Sequence, residues 1–199
     1  MNIIDRAKKI MFNPKTEWDV VATETPNIAA IITGYVLPLA GIAALAAFIG
    51  YGFIGFSVGP FSFHGIDWGL YIAIRILIGA IAGVFLSAFV IDALAPNFGS
   101  EKNMARSVQL VAYSFTPAWV GSILFIIPNI AILGSLLGLY GLYLLYEGLP
   151  KIKKTPADKH VGYFVVSLLV MIISTLIITY ILDRILLSSF GLSYGIGGF

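Results

Sequence analysis

The sequence contains no cysteine among its 199 residues. That absence excludes disulfide bonds, thiolate metal ligands, cysteine nucleophiles and palmitoylation. Charged residues are also scarce, at 11% of the chain, whereas a soluble domain usually has about 25%. Hydrophobic residues make up 59%, and too little polar surface remains to cover a water-soluble globule. The composition therefore predicts an integral membrane protein with one membrane domain.

Histidine is almost as rare, and its two positions argue against catalysis. His64 and His160 are expected in loops on opposite sides of the membrane, so they cannot share a metal ion or supply a buried Ser-His dyad. No HExxH or P-loop motif occurs, and the net charge of +2 is too small to indicate nucleic-acid binding. We therefore predict a non-enzymatic protein without a cofactor, a metal site or a nucleic-acid partner.

Five apolar stretches are long enough for membrane-spanning helices, which need about 20 residues each. They are Ile28–Ile49, Leu70–Leu94, Val108–Ile127, Ile130–Tyr146 and Val161–Leu187. Pro128-Asn129 divides the third stretch from the fourth and predicts a tight turn. The predicted fold is an all-α bundle of five transmembrane helices over residues 28–187. A cytoplasmic amphipathic segment (1–27) precedes the bundle, and a short outer tail (188–199) follows it.

Positive charge predicts the orientation of the bundle. The segments before the first span, after the second and after the fourth carry four, two and four Lys or Arg residues, and the other three segments carry none. Lysine and arginine near span ends are retained on the cytoplasmic side. The alternation therefore predicts a cytoplasmic N-terminus and an outer C-terminus.

Residues 2–12 have the spacing of an amphipathic helix. Apolar residues recur at positions i, i+3, i+4 and i+7, and charged residues occupy the other face. One hypothesis places this helix on the inner leaflet, with Arg6, Lys8 and Lys9 facing anionic lipid. Trp18 would then anchor at the level of the headgroups. The alternative is that the helix packs on the cytoplasmic loops of the protein itself.

Two prolines interrupt predicted spans. Pro117 should free the carbonyl of Tyr113 and kink the third span, and Pro38 interrupts the first span in the same way. Lipid cannot satisfy a freed carbonyl, so a hydroxyl or a neighbouring helix must do so. Ser114 and Thr116 are nearby candidates. We hypothesise that the kinked segment builds a cavity or a packing notch facing the inner loops, with the Tyr113 hydroxyl offering a hydrogen bond between helices.

Charged residues inside predicted spans are functional candidates by default. Arg75 and Asp183 lie at similar depth near the outer side, so we predict that they contact each other. The contact is either a staple between two helices or a site where arginine reaches toward the interface. Asp92 lies near the inner end of the second span, beside the basic loops, where capping or charge balance is expected.

Two GxxxG motifs allow backbones to approach closely. Gly79 and Gly83 lie in the second predicted span, and Gly134 and Gly138 lie in the fourth. These glycines serve either helix packing within one chain or contacts with another membrane protein or a second copy. The sequence leaves both alternatives open.

The third span, its hairpin, the fourth span and the following loop resemble a known family. AYSFTPAW (112–119), the IIP turn and GLYGLYLLYEGLPKIKKTPADKHVGY (138–163) are similar to the membrane domain of the Yip family, and in particular to its bacterial branch. The similarity extends over residues 3–187 and includes NPKTEWDVV (13–21). It implies five spans, a cytoplasmic N-terminus and location in a bacterial inner membrane.

Members of the Yip family in eukaryotes, the Ypt/Rab-interacting membrane proteins, are linked to Rab GTPases and membrane traffic. The resemblance therefore implies a non-enzymatic scaffold or adaptor in membrane organisation or a trafficking-like process, with lipids and other membrane proteins as partners. The alternative is a small transporter or channel. Discontinuous helices commonly mark transport sites, so such a site is expected near Pro38 and Pro117.

Overall fold

The computed structural model describes residues 2–58 and 61–191, without the side chains of 57–58 and 61–63. In that part of the chain, five helical segments are long and apolar enough to cross a membrane. These first to fifth spans are Ile28–Ile54, Ile66–Phe98, Met104–Ile126, Pro128–Lys153 and Ala157–Ser189. The predicted all-α bundle of five spans is confirmed, and the chain is a multi-pass integral membrane protein.

Several spans are interrupted helices. The first comprises α3 (Ile28–Ile31), a π-helical turn (Ile32–Val36), α4 (Leu37–Ile49) and a second π-helical turn (Gly50–Ile54). The second comprises α5 (Ile66–Leu94) and a 3₁₀ turn (Ala95–Phe98), and the third comprises α6 (Met104–Ser114), α7 (Thr116–Gly121) and a 3₁₀ turn (Ser122–Ile126). The fourth comprises a 3₁₀ turn (Pro128–Ile130) and α8 (Ala131–Lys153), and the fifth is α9 (Ala157–Ser189).

Two short helices precede the first span and form the N-terminal helix pair, α1 (Ile3–Phe12) and α2 (Pro14–Thr23). The Asn2 side chain caps α1 by accepting a hydrogen bond from the Ile4 amide. Pro14 begins α2, and its missing amide costs nothing there because the first amides of a helix have no partner within the helix. The pair lies at the same end of the bundle as the loops 99–103 and 154–156, and we call this the basic end.

The opposite end, here the ribbon end, carries a two-stranded antiparallel ribbon between the first two spans. Its strands are β1 (Phe56–Val58) and β2 (Phe61–Phe63), with Phe56 opposite Phe63. The Pro128 turn lies at this end, as predicted. Of the tail predicted over 188–199, residues 192–199 lie outside the described residues.

The fourth span is longer than predicted, because the helix continues beyond Tyr146 to Lys153. Pro150 removes the amide that would bond to the Tyr146 carbonyl. Nε2 of His160 lies 2.8 Å from that carbonyl oxygen and donates a hydrogen bond in its place. His160 therefore belongs to α9 and packs against α8, and its assignment to an open loop is wrong.

The third span forms the centre of the bundle, and every residue of α6 from Ser107 to Ser114 is buried. Gly121 and Gly134 bring the third and fourth spans into direct backbone contact. A Cβ atom built on Gly134 would lie 2.2 Å from the Gly121 carbonyl oxygen, and one on Gly138 would touch Ala118. Gly134 and Gly138 therefore pack against the third span within one chain.

Candidate functional site

The third span breaks at Phe115, between α6 and α7. Pro117 supplies no amide to the carbonyl of Tyr113, as the sequence indicated. The Thr116 hydroxyl donates to that carbonyl oxygen at 2.7 Å. The expectation that a nearby hydroxyl satisfies the freed carbonyl is therefore confirmed, and Thr116 is the residue that does so.

A matching irregularity in the first span faces this break. Tyr35 lies in the π-helical turn that precedes Pro38, and its hydroxyl lies 2.7 Å from the Thr116 Oγ1 atom. Because the single Thr116 hydroxyl proton is already donated to Tyr113, Tyr35 is the donor in this contact. The rings of Tyr35 and Tyr113 pack edge to face at 4.8 Å. Tyr35, rather than Tyr113, makes the hydrogen bond between the two interrupted helices.

Arg6 is buried beside this aromatic pair, with only 4% of its surface exposed. Its Nη1 donates to Glu17 Oε1 at 2.5 Å, and its Nη2 donates to Glu24. The guanidinium also lies over the Tyr113 ring, 5.3 Å from the centroid. The prediction that Arg6 faces lipid is therefore wrong, because two carboxylates of the same N-terminal segment hold it inside the protein.

The N-terminal helix pair packs on the bundle through its apolar face. Trp18 is fully buried against Gly148 of the fourth span, where a Cβ atom would lie 2.7 Å from the indole. The Tyr140 hydroxyl donates to the Met11 carbonyl at 2.8 Å. Trp18 is therefore not an interfacial anchor. The helix packs on the protein, as the second hypothesis held, but on the third and fourth spans rather than on loops.

The buried charges continue into the third span through side-chain amides and a second arginine. Gln109 Nε2 donates to Glu24 at 3.2 Å, and Arg106 Nη1 donates to the Gln109 side-chain oxygen at 3.3 Å. Arg106 also donates to the Val21 carbonyl at 3.2 Å. Two arginines thus balance the carboxylates of Glu17 and Glu24, which makes their burial tolerable.

A groove of about 470 Å³ opens beside this network, between the start of the first span and α6. We call it the polar groove, and its lining includes Glu24, Gly34, Tyr35, Gln109 and Tyr113. Gly34 leaves its wall open, because no atom lies within 4 Å of a Cβ built there. Sites for small molecules typically measure about 300 to 1,000 Å³. The two helix breaks therefore border a space large enough for a ligand, with a carboxylate at its edge.

A second buried ion pair joins three spans at the basic end. Lys153 is fully buried, and its ammonium donates to Asp92 at 2.9 Å, to Ser107 at 2.8 Å and to the Asn103 carbonyl at 3.1 Å. Asp92 also accepts from the Asn103 amide at 2.7 Å. This pairing agrees with the charge-balancing role expected of Asp92. Lys153 escaped prediction because it was assigned to a loop.

At the ribbon end, Arg75 and Asp183 form the contact that their depths predicted. Arg75 Nε donates to Asp183 Oδ1 at 2.6 Å, and the Tyr71 hydroxyl donates to the same oxygen at 2.9 Å. The pair joins the second span to the fifth. Arg184, the next residue, lies instead over the ring of Tyr180 on its own helix.

Residues 8–179 match the family model described as the Yip1 domain. The chain belongs to the Yip1 domain family. It is similar to the inner membrane protein YohC of Escherichia coli K12, with 29% identity over 143 residues, or 69% of this chain and 73% of YohC. YohC of Escherichia coli O6:H1 gives the same values. No solved structure matches this chain. The polar groove of this Yip1-family protein lies wholly within the matched residues.

Proposed function

We propose that this Yip1-family protein is a non-enzymatic scaffold or adaptor of a bacterial inner membrane, with its basic end in the cytoplasm. The burial of Arg6 is the observation that carries the proposal. Its ion pairs to Glu17 and Glu24 lock the N-terminal helix pair into one structure. A scaffold needs a surface of fixed shape, and a helix that merely floats on lipid does not provide one.

The outer face of the locked helix pair carries more positive than negative charge, with three exposed lysines against two exposed aspartates. Lys8, Lys9 and Lys15 are exposed there, next to the exposed ring of Phe12. Each such cation contributes about 1 kcal/mol when it lies near an anionic membrane surface. An acidic partner protein at that surface would meet the same charges, with Phe12 as an apolar contact at their centre.

Photocrosslinking from position 12 tests the scaffold. A photoreactive amino acid replaces Phe12, and irradiation of intact membranes should give a discrete protein adduct. Reversal of the neighbouring charges (Lys8→Glu with Lys9→Glu) should abolish that adduct. The matched control is Lys102→Glu with Lys154→Glu, which reverses two exposed charges at the same end but outside the helix pair. Adducts that are absent, or insensitive to Lys8 and Lys9, would contradict the proposal.

The absence of native cysteine makes the proposed orientation directly testable. Single cysteines at Lys102 and Ser189 mark the basic end and the ribbon end. A membrane-impermeant maleimide should label Ser189→Cys in spheroplasts and should label Lys102→Cys only after the membrane is opened. The reverse pattern would place the basic end outside and remove the cytoplasmic surface that the scaffold requires.

The polar groove favours a second candidate function, the transport or binding of a small organic cation. Glu24 supplies a carboxylate there, and the rings of Tyr35 and Tyr113 supply faces that attract cations. Uptake of radiolabelled tetraethylammonium into proteoliposomes, above that of empty liposomes, would support this function. Gly34→Leu should fill the groove and stop the uptake. Gly41→Leu is the control, because it adds the same side chain at another open position of the first span.

A further inference from the structure

A second groove, of about 270 Å³, lies among the second, third and fifth spans. We call it the arginine groove, and the residues used below are Arg75, Gly79, Gly83, Leu86, Phe115 and Trp119. Its lining shares no residue with that of the polar groove. All of its lining residues belong to membrane spans. The groove therefore lies within the membrane-spanning part of the chain.

The GxxxG motif of the second span, formed by Gly79 and Gly83, is the floor of this groove. No atom lies within 4 Å of a Cβ built on Gly79, and only the Phe115 ring approaches one built on Gly83, at 3.8 Å. Backbone of the third span covers Gly134, whereas among the described residues only the Phe115 ring approaches the GxxxG face of the second span. The two glycines make the groove deep, and Arg75 adds a positively charged hydrogen-bond donor to its wall.

Arg75 has hydrogen-bonding capacity left over. Its Nε donates to Asp183 Oδ1 at 2.6 Å, and its Nη2 donates to Asp183 Oδ2 at 3.4 Å. The remaining nitrogen, Nη1, makes no hydrogen bond to any of the residues that the structure describes. The side chain is 37% exposed. A guanidinium held by a carboxylate along one edge still presents N–H groups along the other, in the geometry that suits a phosphate.

The length of the groove matches one leaflet. Eleven residues of α5 separate Arg75 from Leu86, which is about 16 Å at 1.5 Å per residue. Half of a bilayer hydrocarbon core is about 15 Å thick. One acyl chain that begins at Arg75 could therefore lie along the groove as far as Leu86.

We propose that the arginine groove binds one anionic phospholipid from the leaflet at the ribbon end. The headgroup phosphate accepts hydrogen bonds from Nη1 of Arg75, and one acyl chain lies over Gly79 and Gly83, beside Trp119. An apolar helix of a second copy fits less well, because it would leave the free edge of the guanidinium unpaired within the membrane.

Trp119 provides the probe, because it lines the groove. The purified chain is reconstituted into vesicles that contain phosphatidylglycerol or phosphatidylcholine brominated on the acyl chains, and tryptophan fluorescence is recorded. The quenching that disappears in Trp119→Phe belongs to this residue. Both lipids offer a phosphate to Arg75, but the choline cation cancels the charge of phosphatidylcholine, whereas phosphatidylglycerol keeps a net negative charge. That charge beside Arg75 should favour phosphatidylglycerol over phosphatidylcholine by about fivefold.

Two pairs of variants separate a bound lipid from ordinary lipid contact. Gly79→Leu fills the groove and should remove most of the quenching at position 119, whereas Gly41→Leu, at an equally open site elsewhere, should preserve it. Arg75→Gln should abolish the preference for phosphatidylglycerol. Arg184→Gln removes the same charge from a neighbouring position outside the groove and should leave the preference unchanged.

Equal quenching by both lipids, or quenching that Gly79→Leu does not alter, would overturn the proposal. Absence of quenching by either lipid would also overturn it and would indicate that a second copy covers the groove. If Arg75→Gln fails to fold, Gly79→Leu still decides the question, because it leaves the ion pair intact.

Discussion

Among the residues that the structure describes, each end of the bundle holds one ion pair between spans, and the two pairs differ in their surroundings. At the basic end, Lys153 is fully buried and its ammonium has three acceptors, including Asp92. At the ribbon end, Arg75 is 37% exposed, and none of the described residues accepts a hydrogen bond from its Nη1. The first pair is closed to any ligand, whereas the second is open to the membrane.

The difference separates a structural role from a binding role for similar charges. A fully buried pair with every bond made can be lost only at high cost, because the remaining charge has no water to solvate it. A half-exposed pair contributes little to stability, because solvent or headgroups replace the missing partner. Arg75 and Asp183 are therefore better placed to recognise a ligand than to hold the fold together.

The largest expected effect is that of Lys153→Met, which leaves the Asp92 carboxylate buried without its counter-charge and with only neutral hydrogen-bond donors. Loss of one partner of a buried pair typically costs about 3 to 5 kcal/mol. We expect a large drop in the thermal unfolding temperature of the purified protein in detergent. Asp92→Asn with Lys153→Met should recover part of the loss, since no charge remains. If Lys153→Met alone were as stable as the wild type, the ion pair at the basic end would not stabilise the fold.

Arg6→Met should have the next largest effect. It strands Glu17 in the interior, but Glu24 is one-third exposed and can reach water, so we expect a cost of about 2 to 3 kcal/mol. The N-terminal helix pair should loosen, and trypsin should cleave it faster at Lys9 and Lys15. Lys8→Met removes an exposed charge from the same helix and should not speed cleavage at these sites. Equal cleavage rates in all three proteins would mean that Arg6 does not fix the pair.

Thr116→Val is isosteric and tests the contact between the two helix breaks. It removes the donor to Tyr113 and the acceptor for Tyr35, and unsatisfied buried groups cost about 1 to 3 kcal/mol. The unfolding temperature should fall measurably. The control is Thr33→Val, which affects an exposed hydroxyl bonded within its own helix. Equal effects of the two substitutions would show that the buried contact contributes nothing special.

Arg75→Gln should have the smallest effect on stability, at most about 1 kcal/mol, since the pair is partly exposed. The same thermal measurement in detergent applies, so the value compares directly with that for Lys153→Met. A loss as large as the one expected for Lys153→Met would remove the distinction between the two ends.

Hydropathy and proline placement predicted the spans, the turn at Pro128 and the break near Pro117, because each depends on local chemistry. The contact between Arg75 and Asp183 was also predictable, since both residues lie in long helices whose rise fixes their depth. The spans, the turn and the break need no knowledge of which helix lies beside which, whereas the contact also requires the second and fifth spans to be neighbours, as the structure has them.

The features that escaped prediction depend on contacts between residues that are far apart in the sequence. Periodicity shows that α1 has an apolar face, but not that the third and fourth spans cover it. The burial of Arg6 depends on carboxylates 11 and 18 residues away, which local spacing does not bring together. Lys153 was placed in a loop because the uncharged run ends at Tyr146, whereas the helix continues through Pro150 and His160 replaces the hydrogen bond that the proline removes.

The packing of Trp18 against Gly148 constrains the order in which the parts of this protein can fold. The indole needs a surface that is synthesised 130 residues later. At about 5 to 20 residues per second, the ribosome reaches that glycine roughly 6 to 26 s after making the tryptophan. The part of the chain that emerges first is therefore among the last to reach its final position. Until then, any factor that meets the nascent chain encounters a free amphipathic arm.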